Sequence, residues 1–314
     1  MAVSGSSDFT RTRDQIIHRA LRLCNAVRAG STPAAQPVTD AAEALNAMVK
    51  RWQKKGLRIW TVSEATLFPQ VDQVRYSLAS GSTDHATEIF YQTTISAAEA
   101  SGQTTISLSS TANITAADYI GIVVDDGTLH WSTVTSKTST TVLIADALDD
   151  SASAGNAVFT YTTKIVRPLK IVDARRYNIV SAIDTSISPM LARLDYQGLP
   201  NKAQSGTITQ AFYDPQLSTG YLYLWQPPVS VEDLIKLTWH RPIMDFDAAS
   251  DNPDLPQEWF DALAFNLAVS IAPEYDVPME KFQQLVGMAA AYLDDVQGDD
   301  REGESLEFGV DMGA

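Results

Sequence analysis

A single cysteine, Cys24, stands in the 314 residues, which excludes an internal disulfide and fits a chain that folds in a reducing compartment. Long apolar runs are missing too. A membrane-crossing helix needs roughly 20 consecutive apolar residues, and the best stretch, Trp259 to Ala272, is interrupted by Asp261, Asn266 and Ser270. The opening MAVSGSSDFTRTR has no apolar stretch behind its charges, so no secretory signal is expected. Histidine is sparse: His18, His85, His130 and His240 lie in four separate segments, none at metal-ligand spacing with another His, Cys or carboxylate cluster. Gly-x-Ser-x-Gly elbows, Gly-x4-Gly-Lys loops and Gly-x-Gly-x-x-Gly fingerprints are all absent. No metal, cofactor or catalytic residue is expected.

Acids are what the chain has in plenty, 38 Asp and Glu against 23 Lys and Arg, for a formal charge of −15. A wrapped, phosphate-neutralising DNA binder needs the opposite sign. Two carboxylates at about 5–9.5 Å would suffice for a glycoside hydrolase. Glu258 with Asp261, one helical turn apart, and Asp125 with Asp126 are the pairs to consider. A helix N-terminus and a tight turn explain them better. The charge is also polarised: residues 1–60 carry ten cations against four acids, residues 61–244 eleven against seventeen, and residues 245–314 two against seventeen.

Helical vocabulary occupies both ends. Thr12 and Gln15 make a capping box, and Ile16, Ile17, Ala20, Leu21, Leu23, Cys24 and Val27 recur with helical period up to Gly30. Cys24 falls on this apolar face and reads as a small buried hydrophobe. Asp40 and Glu43 open a second predicted helix with Ala44, Leu45, Met48, Val49 and Trp52 on its apolar side. Lys50, Arg51, Lys54 and Lys55 crowd its last turns before Gly56. Pro256 precedes a third helix, Gln257–Ile271, apolar nearly all round and therefore covered on more than one side. Pro278 opens a fourth, Met279 to Val296. The last residues have acids, glycines and a few apolar side chains without helical period, and read as an extended arm.

Between the helical ends, Thr, Ser, Val, Ile and Tyr in short alternating runs predict strands. These are Ile59–Leu67, Val74–Leu78, Thr104–Leu108, Tyr119–Val124, Leu129–Thr135, Thr141–Ile144, Ala157–Tyr161, Gly206–Phe212, Tyr221–Trp225 and Leu234–Trp239. Asp125-Asp126-Gly127 and Ala154-Gly155-Asn156 are hairpin turns. The expected class is α+β. Residues 10–58 and 255–297 form a four-helix bundle, because neither pair of helices buries its stripe alone. An antiparallel β domain spans 59–250, with a nested small barrel or sandwich at about 87–163, and an acidic arm follows at 298–314.

The pattern Ile16-Ile17-His18-Arg19-Ala20-Leu21-Arg22-Leu23, a loop, then Asp40 to Leu57 (DAAEALNAMVKRWQKKGL) resembles the head-to-tail adaptors of short-tailed bacteriophages, also called tail accessory factors or packaged-DNA stabilisation proteins. The segment from Trp259-Phe260-Asp261-Ala262-Leu263 to Ala272-Pro273-Glu274-Tyr275 is similar to that family's third helix and following turn. The match covers residues 10–60 and 255–296, and the large β insertion departs from it. The resemblance implies a non-enzymatic homo-oligomeric ring of twelve copies beneath the portal protein at the head-tail junction of the virion. Tail nozzle, fibre or spike proteins would attach to it. Double-stranded DNA would pass through the ring without sequence-specific binding, which an acidic or neutral lining favours.

Interface residues expected on this basis are Leu306, Phe308, Val310 and Met312 of the arm, Trp259 and Phe265 of the over-apolar helix, and the cations Lys50, Arg51, Lys54 and Lys55. Those cations equally suit a solvated helix end. Two other functions stay open at this point. One is a virion-associated peptidoglycan hydrolase using the acids. The other is a carbohydrate- or receptor-binding module in 87–163, where Trp131 and Tyr119 would stack on sugars unless they are core aromatics.

Overall fold

The computed structural model describes residues 5, 9–28, 30–54 and 61–299. The chain divides into two compact units, residues 1–61 with 243–314 and residues 62–242. Five α-helices occur among the described residues: α1 (Arg13–Leu23), α2 (Ala35–Lys54), α3 (Arg193–Gly198), α4 (Phe260–Ile271) and α5 (Met279–Asp299). The class is α+β with antiparallel sheets, and all helices but the short α3 belong to the first unit.

In the helical unit, α1 starts at the predicted capping box: the Gln15 amide donates to Thr12 Oγ1 at 3.4 Å, and the Thr12 amide donates to Gln15 Oε1 at 3.2 Å. Further orphan amides of its first turn find carbonyls of the 247–251 loop, Arg13 N–H reaching Asp251 O at 2.7 Å and Asp14 N–H reaching Ala249 O at 3.4 Å. The Asp251 carboxylate holds that loop by accepting from the amides of Asp247 and Ala248.

Helix α2 begins at Ala35, earlier than the predicted Asp40. Pro37 then sits in the first turn, where an amide has no intrahelical partner to lose. Thr39 Oγ1 donates to Ala35 O and Gln36 Nε2 to Asp40 Oδ1, which tightens this turn.

Helix α4 is the shared element. Phe260, Ala262, Leu263, Ala264, Phe265, Leu267, Ala268 and Ile271 are all buried, and α1, α2 and α5 each pack on it. This is the physical reason for its all-round apolarity. Phe265 meets the Tyr292 ring at 4.9 Å, and Asn266 Nδ2 donates to Ala289 O at 3.0 Å. α5 therefore runs antiparallel to α4.

The expected β boundary at residue 250 is too late. Ile243 and Phe246 are buried among the helices, and Asn46 clips this segment by donating to Phe246 O and accepting from Phe246 N–H. Burying a phenylalanine is worth roughly 1.5–3 kcal/mol, so these residues stay with the helices. At the other end, α5 continues through Gly298 to Asp299, and the rest of the predicted arm, 300–314, lies outside the described residues.

The second unit contains β1 (Val62–Leu67), β2 (Arg75–Leu78), β3 (Ala86–Thr87), β4 (Tyr91–Thr94), β5 (Thr105–Ser107), β6 (Tyr119–Val123), β7 (Leu129–Lys137), β8 (Thr141–Ile144), β9 (Ala157–Tyr161), β10 (Lys170–Asn178), β11 (Ile183–Ser186), β12 (Gln210–Pro215), β13 (Gly220–Trp225) and β14 (Asp233–His240). One sheet has the order β11-β10-β14-β1-β3 and a second β12-β13-β2. They share a core of Leu67, Tyr76, Leu78, Ile171, Ala174, Leu222, Leu224, Ile235, Leu237 and Trp239.

The third sheet, β4-β9-β6-β7-β8-β5, is built entirely from residues 91–161 and curls into a half-barrel. Its outer strands meet at one end, where Ser96 N–H donates to Ser107 O and Ser109 N–H to Thr94 O, both at 2.9 Å. Its concave core is aliphatic, with Ile95, Ile106, Ile120, Ile122, Val134, Val142, Ile144 and Val158. Its other face carries Trp131, Phe159, Tyr161 and Tyr119, which pack with Phe68, His85 and Phe90. Gly121 lies opposite Trp131 in the β6–β7 register, and a Cβ there would meet the indole at 2.7 Å. Glycine lets the ring lie flat on the backbone.

Strand β10 was not expected, nor were β3, β4, β11 and α3. β10 reads KIVDARRYN, too charged for a strand pattern. Its cations are matched across the sheet instead: Arg175 reaches Glu64 of β1 at 2.9 Å and Asp184 of β11 at 3.7 Å, and Lys236 of β14 also reaches Asp184. Predicted Gly206–Phe212 begins too early, since β12 starts at Gln210.

Candidate functional site

The cationic end of α2 is smaller than the sequence suggests. Lys50 Nζ donates to Ile243 O at 2.7 Å and pairs with Asp245 at 2.6 Å, so its charge is used within the helical unit. Arg51 and Lys54 are exposed, and Lys55 lies outside the described residues. Leu306, Phe308, Val310 and Met312 lie outside them as well.

Trp259 and Phe265 are only 4% and 5% exposed. Trp259 packs on Trp52 at 5.8 Å, while Phe265 packs on Tyr292 and beneath the Arg19 guanidinium. Expected as interface residues, both belong to the core of their own chain. α4 finds its cover in α1, α2 and α5, so its apolarity asks for no second subunit.

The acid pairs have local roles. Asp261 pairs with Arg19 at 2.5 Å. Asp125 accepts from the Ser153 amide, the Ser151 and Ser153 hydroxyls and Asn156 Nδ2, which lowers its pKa. Asp126 accepts from Thr128 N–H and Oγ1. These bonds fix the β6–β7 turn and the loop before β9.

Among the titratable groups, Cys24 is buried and its Sγ meets Ala268 O at 3.2 Å. Burial pushes its thiol up to about 11, so it is a poor nucleophile. His85 stacks on Trp131 at 3.7 Å and contacts Tyr161 OH at 2.6 Å. Burial first, then the Lys164 ammonium, lowers it to about 3. Trp131 and Tyr119, the sugar-stacking candidates, are thus partners of His85 and Tyr161 in an aromatic cluster. His130 Nδ1 meets Asp149 at 2.7 Å. Among the described residues no three His, Cys, Asp or Glu side chains group as a metal site, and no helix is long and apolar enough to cross a membrane.

An accessible charged feature of the helical unit is a cleft along α1. Phe9, Thr10, Arg11, Gln15, His18 and Arg22 line a volume of about 410 Å³. Periodicity in the sequence picks out the apolar positions of this helix and does not single out the polar ones that line the cleft. Beside it, Arg19 bridges α1 to α4 through Asp261. The helical unit therefore offers Arg51 and Lys54 at the end of α2 and a basic cleft beside α1. No family model matches the chain, and no curated protein is similar to it.

Proposed function

We propose that this chain is a structural virion protein, a head-to-tail adaptor of a short-tailed bacteriophage. In this reading α1, α2, α4 and α5 are the adaptor bundle. Twelve copies form a ring beneath the portal protein and extend the DNA channel. The β unit faces tail nozzle, fibre or spike proteins, and the acidic arm docks on portal. Duplex DNA slides through a ring whose net charge repels phosphates.

The observation that carries the reading is the split helical unit. Residues from both ends of the chain interleave around α4, and the whole of 62–242 is an excursion between α2 and α4. That is the element order expected from the resemblance of 10–60 and 255–296 to the adaptor family. The local engagement of Asp125, Asp126 and Asp261 supports a binding role over the hydrolase reading.

Negative-stain microscopy of the purified protein with and without portal tests it. Rings capped on portal are the expected result, and particles that never associate with portal or with each other would overturn it. A peptidoglycan zymogram with Glu258→Gln and Asp261→Asn controls should show no clearing. A clearing band lost in either variant would replace the adaptor reading with a hydrolase.

A further inference from the structure

Gln15, His18 and Arg22 recur at intervals of three and four, which places them on one face of α1, and Arg11 precedes the N-cap Thr12. With Phe9 and Thr10 they line the cleft described above. Among the described residues none of Arg11, His18 and Arg22 has an ion-pair partner. The neighbouring acids are engaged elsewhere, Asp14 with Arg13 at 2.9 Å and Asp261 with Arg19. The Arg11 guanidinium lies 5.3 Å above the Phe9 ring, and Phe9 is 58% exposed. The cleft thus combines cations with an open apolar surface, on a chain of formal charge −15.

We propose that this cleft is the docking site of the chain's own acidic C-terminal segment, residues 300–314. Three observations select that occupant. The first is where the described chain stops. α5 is antiparallel to α4 through Phe265–Tyr292 and Asn266–Ala289, whereas α1 runs alongside α4 in the same direction, through Phe9–Phe260, Arg19–Asp261 and Cys24–Ala268. The start of α5 accordingly meets the end of α1, where Lys281 bonds Asn25. Its last residue, Asp299, lies at the end of the unit where Phe9 and Arg11 begin the cleft.

The second is length. Fifteen residues reach about 50 Å when extended, while the stretch from Arg11 to Arg22 spans only about 20 Å. The third is chemistry. The segment DREGESLEFGVDMGA carries Asp300, Glu302, Glu304, Glu307 and Asp311 against a single Arg301, and Leu306, Phe308, Val310 and Met312 alternate with its other residues. Within 306–312 an extended chain offers Glu307 and Asp311 to one side and the apolar groups to the other, and Asp300, Glu302 and Glu304 precede that stretch. Arginines pair such carboxylates in bidentate fashion, and Phe9 receives the apolar side. Tethering supplies a millimolar effective concentration, so individually weak pairs suffice. Duplex DNA is the poorer match, because two arginines release few counterions and the rest of the chain repels phosphate. The inference does not rest on the adaptor reading; within that reading it describes the free chain, whose arm leaves the cleft when it docks on portal.

Disulfide trapping in the full chain tests it. Thr10→Cys in the cleft is combined with Ser305→Cys in the tail. Cys24 remains in place because it is buried and unreactive. The control carries Ser31→Cys, an exposed position beyond the other end of α1, in place of Thr10→Cys. Non-reducing electrophoresis and peptide mass separate a link within one chain from a link between chains. The expected result is an intrachain link forming at least about tenfold faster than in the control. It should be slowed about fivefold or more by 0.5 M NaCl or by Arg11→Glu with Arg22→Glu. Equal rates at the two positions, or indifference to salt and to charge reversal, would overturn the proposal. A link found only between chains would overturn it in favour of a second copy. A labelled DNA duplex held by the cleft with no cross-link above control would overturn it in favour of phosphate.

Discussion

Lys50, just before the last turn of α2, and Asp245, on the far side of the β excursion, form an ion pair of 2.6 Å inside the helical unit. The same ammonium donates to Ile243 O, so it ties the returning chain to the helix from which the excursion left. Lys50→Ala should lower stability by about 1 kcal/mol, because the group is partly exposed and its charge pair is screened. Arg51→Glu with Lys54→Glu should change stability by less than about 0.5 kcal/mol. Urea unfolding of the two variants separates a structural lysine from surface cations. Equal loss in both would mean that the whole cluster supports the fold.

Phe265 gives a sharper separation of core from interface. Buried against Leu285, Ala289 and Tyr292, it should cost about 3–5 kcal/mol on truncation to alanine. Denaturant midpoints measured on dilute monomer report this directly. An unchanged midpoint would return Phe265 to the role of a subunit contact.

Gly121→Ala places a methyl against the Trp131 indole at 2.7 Å. Either the ring or strand β6 must shift, at a cost of about 1–3 kcal/mol. Loss of near-ultraviolet circular dichroism with retained far-ultraviolet signal would accompany it. A variant with wild-type stability and spectrum would mean that Trp131 moves aside freely.

His85 sets a pH dependence. Its folded pKa, about 3, lies below the ordinary histidine value of 6.5 because burial and the nearby Lys164 disfavour the imidazolium. A base whose folded pKa is depressed contributes stability above the unfolded pKa and loses it as pH falls, since the unfolded state then binds the extra proton. The loss begins near pH 6.5 and continues toward 3, reaching about 2 kcal/mol by pH 5. Urea midpoints at pH 7 and pH 5 should differ accordingly in wild type and much less in His85→Gln. Identical pH slopes for the two proteins would show that His85 titrates normally.

Local chemistry was legible wherever a residue's neighbours in sequence are also its partners. The Thr12–Gln15 capping box, the β6–β7 hairpin with its Asp-Asp-Gly turn, and strands β8 and β9 needed nothing beyond periodicity and turn residues. Strand β10 escaped because its partners are distant. Arg175 and Asp173 look like loop residues until Glu64 and Asp184 are brought beside Arg175 from other strands. The Pro-containing start of α2 escaped for the opposite reason: Pro37 marks a break by sequence, yet is harmless in a first turn.

The sequence by itself determined the α+β class, the helical ends, the hairpins of 91–161, and a charge so divided that an acidic tail follows a basic start. These depend on spacing and composition, which are properties of the string. Tertiary structure alone decided which faces are covered and which charges are paired. It covers Trp259 and Phe265 from within the chain, ties Lys50 to Asp245, folds Trp131 and Tyr119 into an aromatic cluster with His85, and leaves Arg11, His18 and Arg22 together along an open cleft. Burial and pairing are set by which distant elements meet, and hydrophobic periodicity specifies only that a face must be covered, not what covers it.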